Sequence, residues 1–333
     1  NNIDNLFAAQ ANINVDAFPA FGIQPDKQIA IRVKHYNDDL TLVLKYQSHN
    51  KDIIDNNVEI TTVHLKDDKY PFFVDLKYKV FKNENVIEVW NEVFHKEKKE
   101  VILYNYASSY LSFNAPKAFV THFHGNFGTE FTQQESEIKD GKFVIENREG
   151  IRNSTEDNAS FLLSLKSRPS EDEGEVIAGS LAWTGNYKIS FSRDMFKQLH
   201  LTAGINNYAS EYFLDKNKIF TTPALILTYS NKGKGEASRN LHRYARNYKM
   251  VEGNKPLKIL LNSWEGVYFN ISEDKIVNLI DDSAKIGVEL FVMDDGWFGN
   301  KYSRDNGNQG LGDWQTSQKK LPNGIENLID QAE

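Results

Sequence analysis

Between residues 30 and 229 hydrophobic and polar positions mainly alternate with a period of two. Ile29, Ile31 and Val33 interleave with Ala30, Arg32 and Lys34. Asn37-Asp38-Asp39 then marks a turn, and Leu40, Leu42, Leu44 and Tyr46 alternate on the way back. Every second residue of a strand points to the same side, so the pattern predicts a hairpin with one buried face. Val74, Leu76, Tyr78 and Val80 repeat the device. After a Lys82-Asn83-Glu84-Asn85 turn come Ile87, Val89 and Val93, with Glu88 and Glu92 opposite them. Further strand patterns fall at 101–113, 119–123, 161–165, 176–183, 188–191, 199–203 and 224–229. So many strands with short turns and no long helical period predict antiparallel sheets packed face to face, a β-sandwich. The polar run at 166–175 is expected to be an exposed loop.

Beyond residue 235 the pattern changes. Leu241, Tyr244, Ala245 and Tyr248 recur at helical spacing, with Arg239, His242, Arg243 and Arg246 outside, which predicts an amphipathic linker helix over 236–248. After Pro256 the chain reads as strand, helix, strand, helix. Residues 257–264 are nearly all apolar, as in a strand covered on both faces. Ser272 can cap the next helix, Glu273 and Asp274 suit its first turn, Gly287 can close it, and Ile276, Leu279, Ile280, Ala284 and Ile286 form its apolar stripe. Residues 288–293 are a second buried strand, a polar loop runs on to Pro322, and residues 325–332 begin another helix. This β-α-β-α order calls for a parallel sheet. The expected organisation is multi-domain, β then α/β: a sandwich over 1–235, a helix and connection over 236–256, and the start of a parallel α/β domain over 257–333. Two such units leave strand edges unpaired, and a (β/α) barrel needs about 250 residues, so the last domain is expected to be incomplete. The chain begins at Asn1 without Met, an apolar leader or a basic leader, which points to a processed or excised start.

Composition narrows the function classes. A net charge of −7 with no block of like charge argues against a nucleic-acid partner. No stretch approaches the roughly 20 apolar residues of a membrane span, so no membrane partner is expected. The absence of cysteine removes disulfide, thiolate-metal and cysteine-nucleophile chemistry. It suits a reducing cytoplasm but leaves the periplasm open. With 21 Phe, 15 Tyr and 5 Trp, the aromatic content suits both a sandwich core and a sugar-binding cleft.

The densest chemical signal is Met293-Asp294-Asp295-Gly296-Trp297-Phe298-Gly299, two adjacent carboxylates directly after a buried strand. Successive strand residues point to opposite faces, so both acids can serve one pocket only where the strand ends and turns. In a parallel barrel that C-terminal rim is where active sites form. Asn262-Ser263-Trp264-Glu265 ends the preceding strand, placing an indole beside the acids; pyranose C–H faces suit indole, and hydroxyls suit carboxylates. Gly310-Leu311-Gly312-Asp313-Trp314 adds a third Trp in the long loop. His122 and His124 share one side of a strand, but no third metal ligand stands near them in sequence, and no phosphate loop or Ser-His-Asp arrangement is evident.

The run LNSWEGVYFNISEDKIVNLIDDSAKIGVELFVMDDGWFG, followed by LGDW and KKLPNGI, resembles the start of the barrel in glycoside hydrolase family 36, mostly bacterial retaining α-galactosidases. LAWTGNYKISF, FTTPALILTYSNKG and RNLHRYARNY resemble the end of that family's N-terminal β-sandwich; the likeness is strongest from about Ser180 onward. The resemblance implies a sandwich, or supersandwich, followed by the first βα units of an incomplete (β/α)8 TIM barrel. It matches Asp294 and Asp295 to the pair that holds the galactose 4- and 6-hydroxyls, and Trp264 to the Trp of the same pocket. It implies substrates such as melibiose or raffinose, no metal or organic cofactor, and a homo-oligomer. In the family the nucleophile is an Asp in a Lys-x-Asp motif on a later strand and the acid/base is a further Asp. Neither position exists here, so no catalytic residue is assigned. Family members often extend a sandwich-loop Trp to the substrate, sometimes from a neighbouring subunit; Phe127, within Phe123-His124-Gly125-Asn126-Phe127-Gly128, takes that place. Within the family, galactosyl transfer or α-N-acetylgalactosaminide hydrolysis are alternatives. A non-catalytic sugar-binding or assembly module is the alternative from another class.

Overall fold

A computed structural model describes residues 16–22, 28–152, 156–194 and 196–333. It divides into two compact units, one ending at Gly253 and the other running from Asn254 to Glu333. The first unit opens with β1 (Ile31–Lys34), β2 (Leu44–Ile53), β3 (Val58–Asp67), β4 (Phe72–Phe81) and β5 (Val86–His95). There follow β6 (Val101–Asn114), β7 (Phe119–His124), β8 (Thr132–Glu137), β9 (Gly141–Glu146), β10 (Asp157–Ser164) and β11 (Val176–Leu181). The last are β12 (Tyr187–Arg193), β13 (Gln198–Ile205), β14 (Tyr212–Leu214), β15 (Ile219–Thr221) and β16 (Leu225–Ser230).

Two antiparallel sheets result. The smaller runs β1-β6-β13-β12-β9, with β14 beside β6; the larger runs β2-β3-β4-β5-β16-β11-β10-β7-β8, with β15 beside β5. Their inward residues interdigitate: Phe161 of the large sheet meets Phe191 of the small one edge to face at 5.2 Å. Ile31, Val33 and Leu103 of the small sheet pack with Phe72, Val74 and Leu76 of the large one. The expected hairpin around the Lys82–Asn85 turn is present, β4 and β5 pairing from Phe72↔His95 to Phe81↔Val86.

The first expected hairpin is not. β1 pairs with β6, and β2 pairs with β3 in the other sheet. Between them the chain turns locally, the His35 amide donating to Asp39 O at 2.9 Å. It then crosses without pairing to β1: Leu42 donates to Phe21 O, and Val43 to the Asp67 carboxylate. Alternation reports only which residues face inward, and in a sandwich both sheets face the same core. A hairpin and a crossover therefore leave the same pattern.

The helix expected over 236–248 is α1 (Gly233–Tyr244), continued by a π-helical turn (Ala245–Lys249) within the first unit. It lies against the outer face of the large sheet, with Ala237, Asn240 and Tyr244 buried. That covered face explains why Glu84 and Glu88 are buried instead of solvated. Tyr244 OH donates to Glu88, Lys249 Nζ stands 2.6 Å from the same carboxylate, and Asn247 donates to Glu84 at 2.8 Å.

The second unit holds β17 (Leu260–Asn262), α2 (Trp264–Val267), α3 (Glu273–Lys285), β18 (Leu290–Val292) and α4 (Gly324–Ala332). β17 and β18 are parallel, in the register Leu260↔Leu290 to Asn262↔Val292, which is the strand-helix-strand start of a barrel. Both strands are shorter and more exposed than their apolar sequences predict; Leu257 is 85% exposed and Ile259 61%. Apolar strands shed water only against covering layers. Here the buried cluster Ile271, Ile276, Ile280, Leu321 and Leu328 covers part of β18, with Phe291 and, just past the strand, Met293 packed against it. Ser272 stands at the start of α3 in extended conformation, as predicted, but its hydroxyl makes no capping bond. Of the predicted stripe Ile276 and Ile280 are buried, whereas Ala284 is exposed and Ile286 is 80% exposed. Gly287, at φ 88°, ends the helix by turning the chain away from that stripe.

Candidate active site

The ends of β17 and β18 are tied to each other side chain by side chain. Ser263 N donates to Val292 O at 2.9 Å, and its hydroxyl accepts the Asp294 amide at 3.0 Å. Asn262 Nδ2 donates to Asp294 Oδ2 at 2.6 Å, while Asn262 Oδ1 takes the Trp264 amide at 2.8 Å. One asparagine thus orients the first acid and starts the helical turn that carries the indole. Asp294 Oδ1 takes the Asp295 amide at 2.6 Å, and the chain turns at Asp295-Gly296, just past the strand end. The turn needs Gly296, at φ 106°; a Cβ there would stand 3.1 Å from Phe269 Cα.

Asp295 has a cationic partner. Arg304 Nε lies 2.9 Å from its Oδ1 and 3.2 Å from its Oδ2, and Nη2 lies 2.7 Å from Oδ2. The guanidinium beside it holds the Asp295 carboxyl below the usual carboxylate range. Arg304 lies over the Phe269 ring at 5.3 Å, and the same ring meets Trp264 edge to face at 4.9 Å. Beside them Tyr268 takes φ 47°, an uncommon conformation for a bulky residue, and its OH donates to Glu265 at 2.9 Å.

Asp294, Asp295 and Trp264 therefore belong to one constellation at the C-terminal ends of two parallel strands. Asp294, Asp295 and Trp264 are all half-buried, neither sealed under the sheet nor free in water. Phe127 lies in the first unit, on the loop after β7, and is 92% exposed. Trp314 is 65% exposed, its ring 4.6 Å from Phe298, and joins the second unit through the loop. His124 pairs with Asp157 at 3.0 Å, and His122 packs edge-on against Phe143 with burial pushing its pKa down. Among the described residues no group of three His, Asp or Glu side chains could hold a metal ion.

Sequence reasoning missed Arg304 and Lys320, and named Asn262 and Ser263 within the strand-end motif without giving either a role of its own. A lone Arg in a polar loop reads as solvated, yet Arg304 is 6% exposed. One signal was available: two adjacent acids ask for a counter-charge, and between Asp295 and Gln318 the basic residues are Lys301 and Arg304.

Residues 4–215 match the glycosyl hydrolase family 36 N-terminal domain, and residues 219–333 match the melibiase family. The fold is accordingly that of a sandwich-and-barrel glycoside hydrolase. The α-galactosidase Mel36A of Lactobacillus acidophilus is 31% identical over 83% of this chain and 37% of its own length. The α-galactosidase AgaA of Geobacillus stearothermophilus is 28% identical over 95% of this chain and 45% of its own length. Its crystal structure superimposes with a TM-score of 0.88 over 95% of this chain and 46% of that one. AgaA variants have also been crystallised in complex with stachyose and with raffinose. This chain belongs to glycosyl hydrolase family 36, and it spans less than half the length of the relatives it matches.

Proposed function

We propose that the full-length protein is an exo-acting α-galactosidase that removes terminal α-linked galactose from raffinose- or melibiose-like sugars by double displacement, and that this chain supplies the galactose-recognising wall of its pocket. The observation that carries the reading is the Asp294–Asp295 pair at the strand ends, reached from Trp264 through Phe269 and Arg304. Two acceptor-only carboxylates side by side match two neighbouring hydroxyls of one sugar, and the indole offers a face for its C–H groups. The complexes of AgaA with raffinose and stachyose support the substrate class.

The two acids are placed to bind and not to cleave. A retaining pair flanks the scissile bond with carboxyls about 5–5.5 Å apart on opposite faces of the sugar. Neighbours in sequence approach from one side. The nucleophile and acid/base are assigned to Asp residues on later barrel strands, outside 1–333. Phe127 is assigned to the subsite beyond galactose, and the full-length protein to a homo-oligomer.

The test is hydrolysis of an aryl α-galactoside by the full-length protein, with the anomer first released read by NMR. Release of α-galactose is expected, and purified 1–333 should show no turnover. First-formed β-galactose would exclude double displacement. Turnover of α-N-acetylgalactosaminides in preference to galactosides would overturn the substrate assignment.

A further inference from the structure

Asp294 and Asp295 hold their carboxylates by different means. Asp294 is oriented by neutral groups, the Asn262 amide and the backbone. Asp295 is gripped by a fork in which both of its oxygens meet the same guanidinium. A bidentate Arg–carboxylate pair fixes the plane of the carboxylate as well as its distance. Its positive charge also favours the ionised form of Asp295, which can then only accept a hydrogen bond.

Arg304 is itself held from every side. Its Nη1 donates to Gln309 O at 2.8 Å, its amide donates to Phe298 O at 3.3 Å, and its guanidinium lies between the rings of Phe269 and Phe298 at 5.3 and 5.9 Å. Its carbonyl accepts from Lys320 Nζ at 2.9 Å. That buried ammonium also donates to Phe269 O at 3.1 Å and Gly296 O at 2.8 Å, and pairs with Asp305 at 2.9 Å. Lys320 thus clamps three segments together: the one after α2, the turn beyond the acids, and the loop that carries Arg304. A tie that served only to close the loop would not need its partner to be the second acid of the rim, nor a second buried cation to fix its backbone.

We propose that Arg304 is the positioning residue for Asp295, setting the plane of that carboxylate and keeping it a pure acceptor for a sugar hydroxyl, with Lys320 locking Arg304 in place. This rests on the α-galactoside reading above. Arg304 need not touch the sugar; it acts through the acid.

The experiment compares Arg304→Gln and Arg304→Lys in the full-length enzyme, with Asp294→Ala in parallel and melting temperatures beside the kinetics. Arg304→Gln should lower kcat/KM for an aryl α-galactoside about 10²-fold, mainly through KM, because a misplaced binding group costs about that much. Loss of the guanidinium also lets the Asp295 carboxyl rise from its lowered position, so the acid limb of kcat/KM should move to higher pH. Arg304→Lys keeps the charge without the fork; its acid limb should stay near that of the parent while its KM stays raised. Should Arg304→Gln fail to fold, Arg304→Lys decides alone through KM. Parent-like KM and acid limb in the folded variants would overturn the proposal, as would a fall in kcat alone. Those results with a strongly impaired Asp294→Ala would sink the Arg304 role and leave the galactoside reading standing. An unimpaired Asp294→Ala would remove both.

Discussion

Asp294→Ala in the full-length enzyme is expected to lower kcat/KM for an aryl α-galactoside about 10²–10³-fold. The Asp294 carboxylate accepts from Asn262 Nδ2 and from the Asp295 amide, and both donors are aimed by the strand ends that carry them. A sugar hydroxyl reaching the same carboxylate would add a charge-assisted hydrogen bond, worth about 1.5–3 kcal/mol. The alanine variant loses that bond and leaves the bound sugar hydroxyl without its acceptor, so roughly 3–4 kcal/mol of transition-state binding goes, which is 10²–10³ in rate. If the contact strengthens as the sugar flattens, the loss falls on kcat as well as on KM. Asp294→Asn keeps the volume and one acceptor and should lose less. An unchanged kcat/KM in the alanine variant would remove Asp294 from the sugar site, and with it the carbohydrate reading of the rim.

Much of this architecture was legible before any coordinates. The β4–β5 hairpin, α1, α3 and the parallel β17–β18 pair all follow from periodicity with turn and cap residues. An adjacent carboxylate pair by itself is usually a loop cap and a solvated acid; Asp294 and Asp295 stood out because Gly and Trp flank them at the end of a buried strand, and Trp264 because it ends the preceding strand. What could not be read was connectivity and counter-charge. Ile31 and Leu42 both face inward, but into the core from β1 and from the crossover after it. Inward facing carries no record of which neighbour supplies the hydrogen bonds. Arg304 escaped for a related reason: the loop that carries it has no periodicity, and its burial comes from Phe269, Phe298 and Lys320, none adjacent to it in sequence. Glu84 and Glu88 looked solvated because the helix that covers them lies more than 140 residues further along, the contact of Glu88 with Tyr244 spanning 156 positions.

The misread crossover leads to the largest stability effect expected in the sandwich. Where the chain leaves β1, His35 and Glu97 sit with both side chains fully buried, Nδ1 2.7 Å from Oε1. The other ring nitrogen faces Thr41 O at 3.1 Å, and that carbonyl can only accept, so Nε2 carries a hydrogen. The second carboxylate oxygen takes the Tyr36 amide at 3.2 Å, and the Glu97 amide donates to His95 Nδ1 at 3.2 Å. His95 in turn donates through Nε2 to Leu214 O at 2.9 Å. Tyr70 stacks on His35 with ring centres 3.8 Å apart, closing the group from solvent. Glu97→Ala would leave the buried imidazole and the Tyr36 amide without their partner, and each buried polar group left unpaired costs about 1–3 kcal/mol. Asp68→Ala makes the contrast: its partner Lys45 is 60% exposed and Asp68 52%, and an exposed pair is worth at most about 1 kcal/mol. Urea unfolding of both variants, read as midpoint and slope, separates the two cases. The Glu97 variant should unfold at much lower urea with its slope retained. A loss no greater than that of the Asp68 variant would mean that the crossover is held by Leu42, Tyr70 and their apolar neighbours, and not by the buried pair.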